Sequence, residues 1–448
     1  MATIDIGGGT TDLSITTFEL ESDAGSSARM VPHPEFHDGF SLAGDDVLCA
    51  VVRNHVLESL GSAMQAAGVP DVRRALGELF GRDVIDSSEE SRNRRTQFIR
   101  QVAVPCALSV LAVYEKSDLI QGGNRVQHRF GDCFLGCSQV GEDGQSLAIA
   151  HFPQPNAEAL NYVEDYVRRN GSNGEFRLLD VPLVIDARRV DETIRSVLKD
   201  ILANLCEVIH LYDCDALLLT GRPSSWKAIE DTVVSLLPVA PDRIFAMGDY
   251  RVGSWYPFAD ALGKVTDPKT TVVVGAILCT LAEGQLEGFS FDPQNLNLNS
   301  TARYVGEMEL NGQIRAAKVW FDVDVTSKEE RIYTQKIAFG GPIAVGFRQL
   351  PVERWTTTRF YFLEFVNEDM RHKYAQGLPF TVTLELSVSA LEDDSEDASV
   401  NQERDEGEFT IVEVEDCHGN PVLNALEMRL QTLSRDEGFW LDTGIVYI

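Results

Sequence analysis

The run Ile4-Asp5-Ile6-Gly7-Gly8-Gly9-Thr10-Thr11-Asp12-Leu13-Ser14 has residue types and spacing suited to gripping phosphate. An apolar strand leads into three glycines, then hydroxyls and an acid, then a second alternating strand to Phe18. Glycines let backbone N–H groups approach an anion closely and adopt positive φ. Thr10 and Thr11 can donate hydroxyls to phosphate oxygens or to a water. Asp5, at the end of the first strand, suits a hydrated Mg²⁺ bridging phosphates. Asp12 suits orienting the hairpin or the attacking water. A glycine hairpin used only for geometry is the plain alternative. The complete strand-acid-glycine-hydroxyl-acid-strand string favours a phosphate site.

Three later stretches supply elements that would position this turn. Asp38-Gly-Phe-Ser-Leu-Ala-Gly44-Asp45-Asp46-Val-Leu leads into a predicted helix over 49–64, and Asp45 and Asp46 suit capping its N-terminus. An amphipathic helix over 190–210 precedes a strand over 216–220. The turn Gly221-Arg222-Pro223-Ser224-Ser225 then enters a helix over 226–237. Last comes Asp267-Pro268-Lys269-Thr-Thr-Val-Val-Val-Gly275-Ala276-Ile-Leu.

In this order the four stretches resemble motifs of the actin, sugar-kinase and DnaK-like chaperone superfamily. They correspond to its second phosphate motif, a chaperone-like step into a helix, its adenosine motif and its second connecting motif. The resemblance implies an α/β fold, the RNase H-like second lobe of the actin-like ATPase fold, with ATP and Mg²⁺ as ligands. It implies catalytic roles for Asp5, Thr10 and Asp12, with Asp5 also the metal residue. Gly7, Gly8, Gly9, Thr10, Thr11, Gly221, Arg222 and Ser224 would bind the nucleotide. Gly275 and Ala276 would permit tight helix contact across the lobe interface. With Phe339-Gly-Gly-Pro-Ile-Ala-Val-Gly-Phe-Arg-Gln-Leu and Glu353-Arg-Trp, the whole chain also resembles the C-terminal part of the SrfB family of bacterial virulence-associated proteins.

The first phosphate hairpin and first connecting motif of the superfamily have no counterpart. Turnover is therefore expected only when a first lobe is supplied, because charge developing on a γ-phosphate needs donors on both faces. Arg222 replaces a second glycine, and Lys269 replaces an acid. The helical run around Val102-Ala-Val-Pro105-Cys-Ala-Leu-Ser109 is apolar where chaperones place charge against adenine. These departures favour the alternative of a non-catalytic scaffold or assembly module.

The expected organisation is a lobe core over 1–68 and 181–285, an inserted α/β subdomain over 69–180, and a β-rich C-terminal domain over 286–448. In the insertion, a helix over 87–116 would be kinked by Pro105, strand-like pieces fall around 131–149, and a helix lies around 157–169. In the tail, strands are expected over 313–325, 332–347, 359–366 and 380–388. The acidic stretch 392–408 reads as a loop between strands.

At 448 residues with 44% apolar and 24% charged residues, the chain has globular composition and room for more than one domain. A formal charge of −30 disfavours nucleic acid and anionic lipid as partners and leaves the missing first lobe or another protein. The amino end carries no secretory pattern, and the apolar stretch 271–282 is too short to cross a bilayer. The cytoplasm is the expected location. The eight cysteines read as reduced thiols, and Cys133 with Cys137, near His128, is the pair with metal-like spacing. Arg92, Arg94, Arg95 and Arg100 read as a solvated helix face. Trp226, Trp255 and Trp320 read as core or interface anchors.

Overall fold

Ala2, Ile4 and Ile6 alternate with Thr3 and Asp5, and this period of two makes the strand Ala2–Ile6, whose three apolar side chains are fully buried. It pairs in parallel with Leu217–Thr220, with Ala2 opposite Leu217 and Asp5 opposite Thr220. Leu217–Thr220 pairs in parallel with Ile244–Ala246. The intervening helix Lys227–Leu236 completes a strand-helix-strand crossover, as parallel pairing requires. The computed structural model describes residues 1–22, 28–81, 88–119, 125–136, 152–172, 175–283, 285–286, 288–292, 303–309, 312–323, 331–355, 357, 360–388, 408–431 and 440–446. Cys137, the strand-like pieces beyond residue 136 and the acidic stretch 392–407 lie outside these.

The fold is mixed α/β with β-rich regions, and contacts divide the chain into two units. One, rich in helix, comprises Ala2–Thr11, Leu42–Ile277 and Ser434–Ile448; the other, rich in strand, comprises Met1, Asp12–Ser41 and Leu278–Leu433.

In the helix-rich unit, Ala187–Leu211 buries Val190, Ile194, Leu198, Ile201, Leu205 and Val208, a spacing of three and four that marks one helical face. Asp186 caps it, accepting from the Arg188 N–H at 3.0 Å. Helical conformation also runs from Gly44 to Ala66, with a π-helical turn over Val52–Leu57. His55 lies buried in that turn, its Nε2 3.0 Å from Thr193 Oγ1. A second π turn, Ile99–Ala103, interrupts the helical run Glu89–Glu115. It ends two residues before Pro105, which stands near the start of the α-helical stretch Val104–Glu115. At the proline where a kink is expected, the helical pitch changes from π to α. By length and apolar composition Glu89–Glu115 could cross a bilayer, but Phe98, Ile99, Val102, Ala103, Cys106 and Val110 are fully buried inside the protein.

The arginine cluster is only in part the solvated face expected of it: Arg92 and Arg100 are exposed, but Arg94, Arg95 and Arg100 are engaged within the protein. Arg95 is buried, and its Nε donates to Thr443 O at 2.8 Å. Arg100 Nε donates to Leu441 O at 2.9 Å and its Nη2 pairs with Asp442, while Arg94 pairs with Asp165 at 3.1 Å. The open carbonyls of the short helix Trp440–Thr443 attract guanidinium groups, and the segment is fastened further by Val446 N–H to Phe80 O at 2.7 Å.

In the strand-rich unit, an antiparallel sheet has the order Val319–Asp322, Tyr304–Glu307, Ile343–Arg348, Phe360–Phe365, Leu426–Gln431. A second antiparallel sheet has the order Arg331–Phe339, Phe380–Val388, Glu408–Glu415. Both contribute to one core that contains Phe339, Phe347, Leu363, Phe380 and Leu384. Trp320 packs against it, as expected of an anchor, whereas Trp255 of the helix-rich unit is 59% exposed. Asp38, on the strand Ala28–Phe40, is buried and accepts from Trp355 Nε1 at 2.8 Å, with Phe36 and Phe40 edge-on to the same indole. Asp38→Ala is expected to destabilise this unit by about 2 kcal/mol, since it strands a buried donor. Urea unfolding followed by Trp355 emission, with the other tryptophans replaced, would measure it.

Candidate functional site

The glycine turn closes on itself through Gly7 N–H to Thr10 O at 2.8 Å. It is then held from outside by the start of the helix Gly44–Val51. Gly44 N–H donates to Gly7 O at 3.0 Å and Asp45 N–H to Gly8 O at 2.7 Å, while Thr11 Oγ1 donates to Leu42 O at 2.7 Å. The first amides of a helix have no partner within it, and here two of them fix the turn. Side-chain room is scarce at this junction. A Cβ on Gly44 would stand 2.9 Å from Pro223 Cγ and 3.0 Å from Gly7 O.

The second turn meets the same strand end. Gly221 has φ +81°, and a Cβ there would stand 2.1 Å from Ile6 O and 2.5 Å from Asp5 Oδ1. Only a residue without Cβ fits. The expectation of positive φ therefore applies to Gly221 and not to Gly7, Gly8 or Gly9, none of which has it. The helix amides set the shape of the glycine turn, so it needs no left-handed residue.

Asp5, the glycine turn, the Gly44–Asp45 helix start and the Gly221 turn are thus brought to one end of the parallel strands. Gly8, Gly9 and Thr10 are exposed, and none of the described residues lies within 4 Å of where a Cβ on Gly9 would stand. Thr11 is buried, its hydroxyl occupied by the Leu42 carbonyl rather than offered outward. Asp12 belongs to the strand-rich unit, where its Oδ1 lies 2.3 Å from the position of a Cβ on Gly39. Asp46 caps its helix as expected, accepting from Ala43 N–H at 2.8 Å. Asp45 instead lies against Gly8, its Oδ1 3.4 Å from the position of a Cβ there. Burial raises both carboxyls above the ordinary range.

The family model described as Virulence factor SrfB matches residues 1–447. The chain belongs to the SrfB family. The match takes in both units and attaches a virulence association to the SrfB chain. No curated protein matches it.

Further groups complete this end of the strands. Ser224 is buried and its hydroxyl donates to Gly221 O at 2.7 Å, so it fastens the turn. Arg222 Nη2 donates to Glu115 Oε2 at 2.8 Å and Nη1 to Ser225 Oγ at 2.6 Å. The buried Trp226 donates from Nε1 to Glu115 Oε1 at 3.0 Å. Glu115, the last residue of Val104–Glu115, thereby gathers both ends of the turn. Nothing in its sequence position marks it, because residue 115 ends a helix over a hundred residues away. Glu115→Ala is expected to cost about 1–3 kcal/mol by stranding the Trp226 donor and one Arg222 bond, and to shift Trp226 emission to the red.

Among the described residues, no three His, Cys, Asp or Glu side chains form a metal-binding group. Asp45 lies beside the Gly8 turn and Asp5 beside the Gly221 turn. On the helix Thr270–Ala282, Val272, Val273 and Ile277 are more than half exposed. Among the described residues nothing lies within 4 Å of where a Cβ on Gly275 would stand, so this glycine makes no close helix contact with them.

Proposed function

We propose that this chain carries the second-lobe half of an actin- or chaperone-type Mg–ATP site on an RNase H-like core. Turnover then requires a first lobe. The observation that carries this reading is the convergence of Asp5, the Gly7–Thr10 turn and the Gly221 turn on one strand end, locked by Gly44 and Asp45 amides. Exposed Gly8, Gly9 and Thr10 leave phosphate room to approach. Asp5 and Asp45 would hold a hydrated Mg²⁺, which supplies charge neutralisation when bound. Thr10 would position water, and the Gly221-Arg222 backbone would lie against the nucleoside. The exposed apolar stripe Val272, Val273 and Ile277 suits a partner lobe that covers it. A cytoplasmic location accords with reduced thiols and a nucleotide ligand.

Calorimetry with Mg–ATP on a chain joined to its genomic upstream sequence tests the reading. Saturable binding that Asp5→Ala weakens at least tenfold is expected; no heat from the longer protein would end it.

A non-catalytic scaffold is the second reading, favoured by one observation. Arg222 and Ser224 are both engaged within the protein, by Glu115 with Ser225 and by Gly221, which suits a turn kept for shape. It predicts that Asp5→Ala leaves partner capture unchanged.

A further inference from the structure

Burying a charge is costly unless an opposite charge or a hydrogen bond meets it. Among the described residues the buried acids and arginines are Asp38, Arg95, Asp132, Arg348 and Glu364, and all but one have such a partner. Asp38 accepts from Trp355 Nε1 at 2.8 Å, Asp132 from the Arg129 N–H at 2.7 Å and Glu364 from Arg429 Nε at 3.0 Å. Arg95 Nε donates to Thr443 O at 2.8 Å. Arg348 is the exception. It is 2% exposed, and its enclosed Nε and Nη1 reach no acceptor.

Arg348 ends the strand Ile343–Arg348 and stands opposite Tyr304 of the strand Tyr304–Glu307. Directly opposed residues of an antiparallel pair share a face, and the Arg348 guanidinium carbon lies 5.2 Å from the Tyr304 ring centroid. The ring offers its face to the cation, but an N–H needs an oxygen as well. Arg303 lies at the same distance from that ring and has Asp322 as its counter-ion. Glu353 is the carboxylate whose charge acts on Arg348, yet its Oε1 accepts from the Ala316 N–H at 2.7 Å. Burial lowers the pKa of Arg348 from the ordinary arginine value, but a guanidinium stays protonated in a protein. The chain thus encloses a cation whose Nε and Nη1 donors its own described carboxylates do not meet.

We propose that Arg348 anchors a binding site for a small monocarboxylate, held against Tyr304 in the strand-rich unit. Valence selects the class. One carboxylate neutralises one guanidinium, and its planar pair of oxygens matches the planar donors. Phosphate near neutral pH carries more than one charge and would leave the excess buried. Entry requires only the fraying of a strand end, because Arg348 is the last residue of its strand. The site does not depend on the nucleotide reading, so failure of either leaves the other standing.

The test follows thermal unfolding of the full chain at fixed ionic strength as sodium acetate replaces sodium chloride, with sodium phosphate as the comparison. Acetate should raise the melting temperature saturably, and phosphate should raise it less. Arg348→Met, which has no charge to neutralise, should lose the acetate response. A capped tripeptide with a central glutamate separates two sources of the carboxylate. Stabilisation by the tripeptide as well as by acetate assigns the site to a partner's acidic side chain, and stabilisation by acetate alone assigns it to a free acid. An acetate response equal in parent and variant, or absent from the parent, overturns the proposal. Should Arg348→Met fail to fold, Arg348→Gln makes the same comparison. Saturation-transfer NMR of acetate on the unaltered chain must in any case show saturable binding, and its absence overturns the proposal too.

Discussion

Gly221→Ala is expected to destabilise the helix-rich unit by roughly 3 kcal/mol or more, the largest effect of any single methyl group at this site. Two causes add. The residue has φ +81°, which an L side chain adopts at a cost of about 1–2 kcal/mol. Its Cβ would also stand 2.1 Å from the Ile6 carbonyl oxygen, a backbone atom that cannot rotate away. Relief requires the strand end to shift, and Asp5 with it. The control is Gly9→Ala, where nothing lies within 4 Å of the added carbon and φ is not positive. That change should cost well under about 1 kcal/mol. Guanidinium titrations of both variants, with hydrogen exchange read at Ala2–Ile6, would separate them. Equal losses in the two would mean that the Gly221 turn does not bear on the strand.

Much of this arrangement was legible in the sequence wherever the signal is local. Alternation in Ala2–Ile6 and the three-four spacing of Ala187–Leu211 report which face is buried, because a strand or helix must hide one side. Two tail strands were legible for the same reason, Phe360–Phe365 and Phe380–Val388 lying close to the expected 359–366 and 380–388, whereas the expected 332–347 is two strands, Arg331–Phe339 and Ile343–Arg348, in different sheets. What failed was long-range. Asp45 and Asp46 look alike as helix-start acids, yet only Asp46 turns back to cap while Asp45 lies against Gly8, a choice made by the neighbouring turn. Glu115 carries no pattern that points to Arg222. The arginines of 92–100 read as solvated because the Trp440–Thr443 segment that occupies Arg95 and Arg100 is over three hundred residues away. Glycine conformation was half legible: a triple glycine announces tight approach, but whether φ is positive depends on who supplies the hydrogen bonds. At Gly7 and Gly8 the amides of Gly44 and Asp45 do so.

Stability of the helix-rich unit should fall as pH drops from 6.5 towards 4, and His55 should account for much of the slope. Burial, with Arg189 adding repulsion, pushes its imidazole down from 6.5 to about 4. Between those values the unfolded chain binds a proton that the native chain refuses. Native stability, complete above pH 6.5, is therefore lost on acidification through the folded value. The shift corresponds to about 3 kcal/mol in full and about 2 kcal/mol by pH 5. Glu58 and Asp186 oppose the effect weakly, since their charges favour the imidazolium. His55→Gln removes the titration while keeping a polar group near Thr193, so it should be less stable than the parent at pH 7.5 and approach or pass it at pH 5. Urea midpoints of both proteins at pH 7.5, 6 and 5 measure the difference, and parallel lines would exclude His55 as the source. The consequence reaches the site through the chain itself. His55 sits in the π turn of the helical run that begins at Gly44, and the amides of Gly44 and Asp45 hold the glycine turn. A charge forced into that turn loosens the element on which the glycine turn rests, so any ligand of Gly8 to Thr10 should bind more weakly in acid than the ligand's own titration explains.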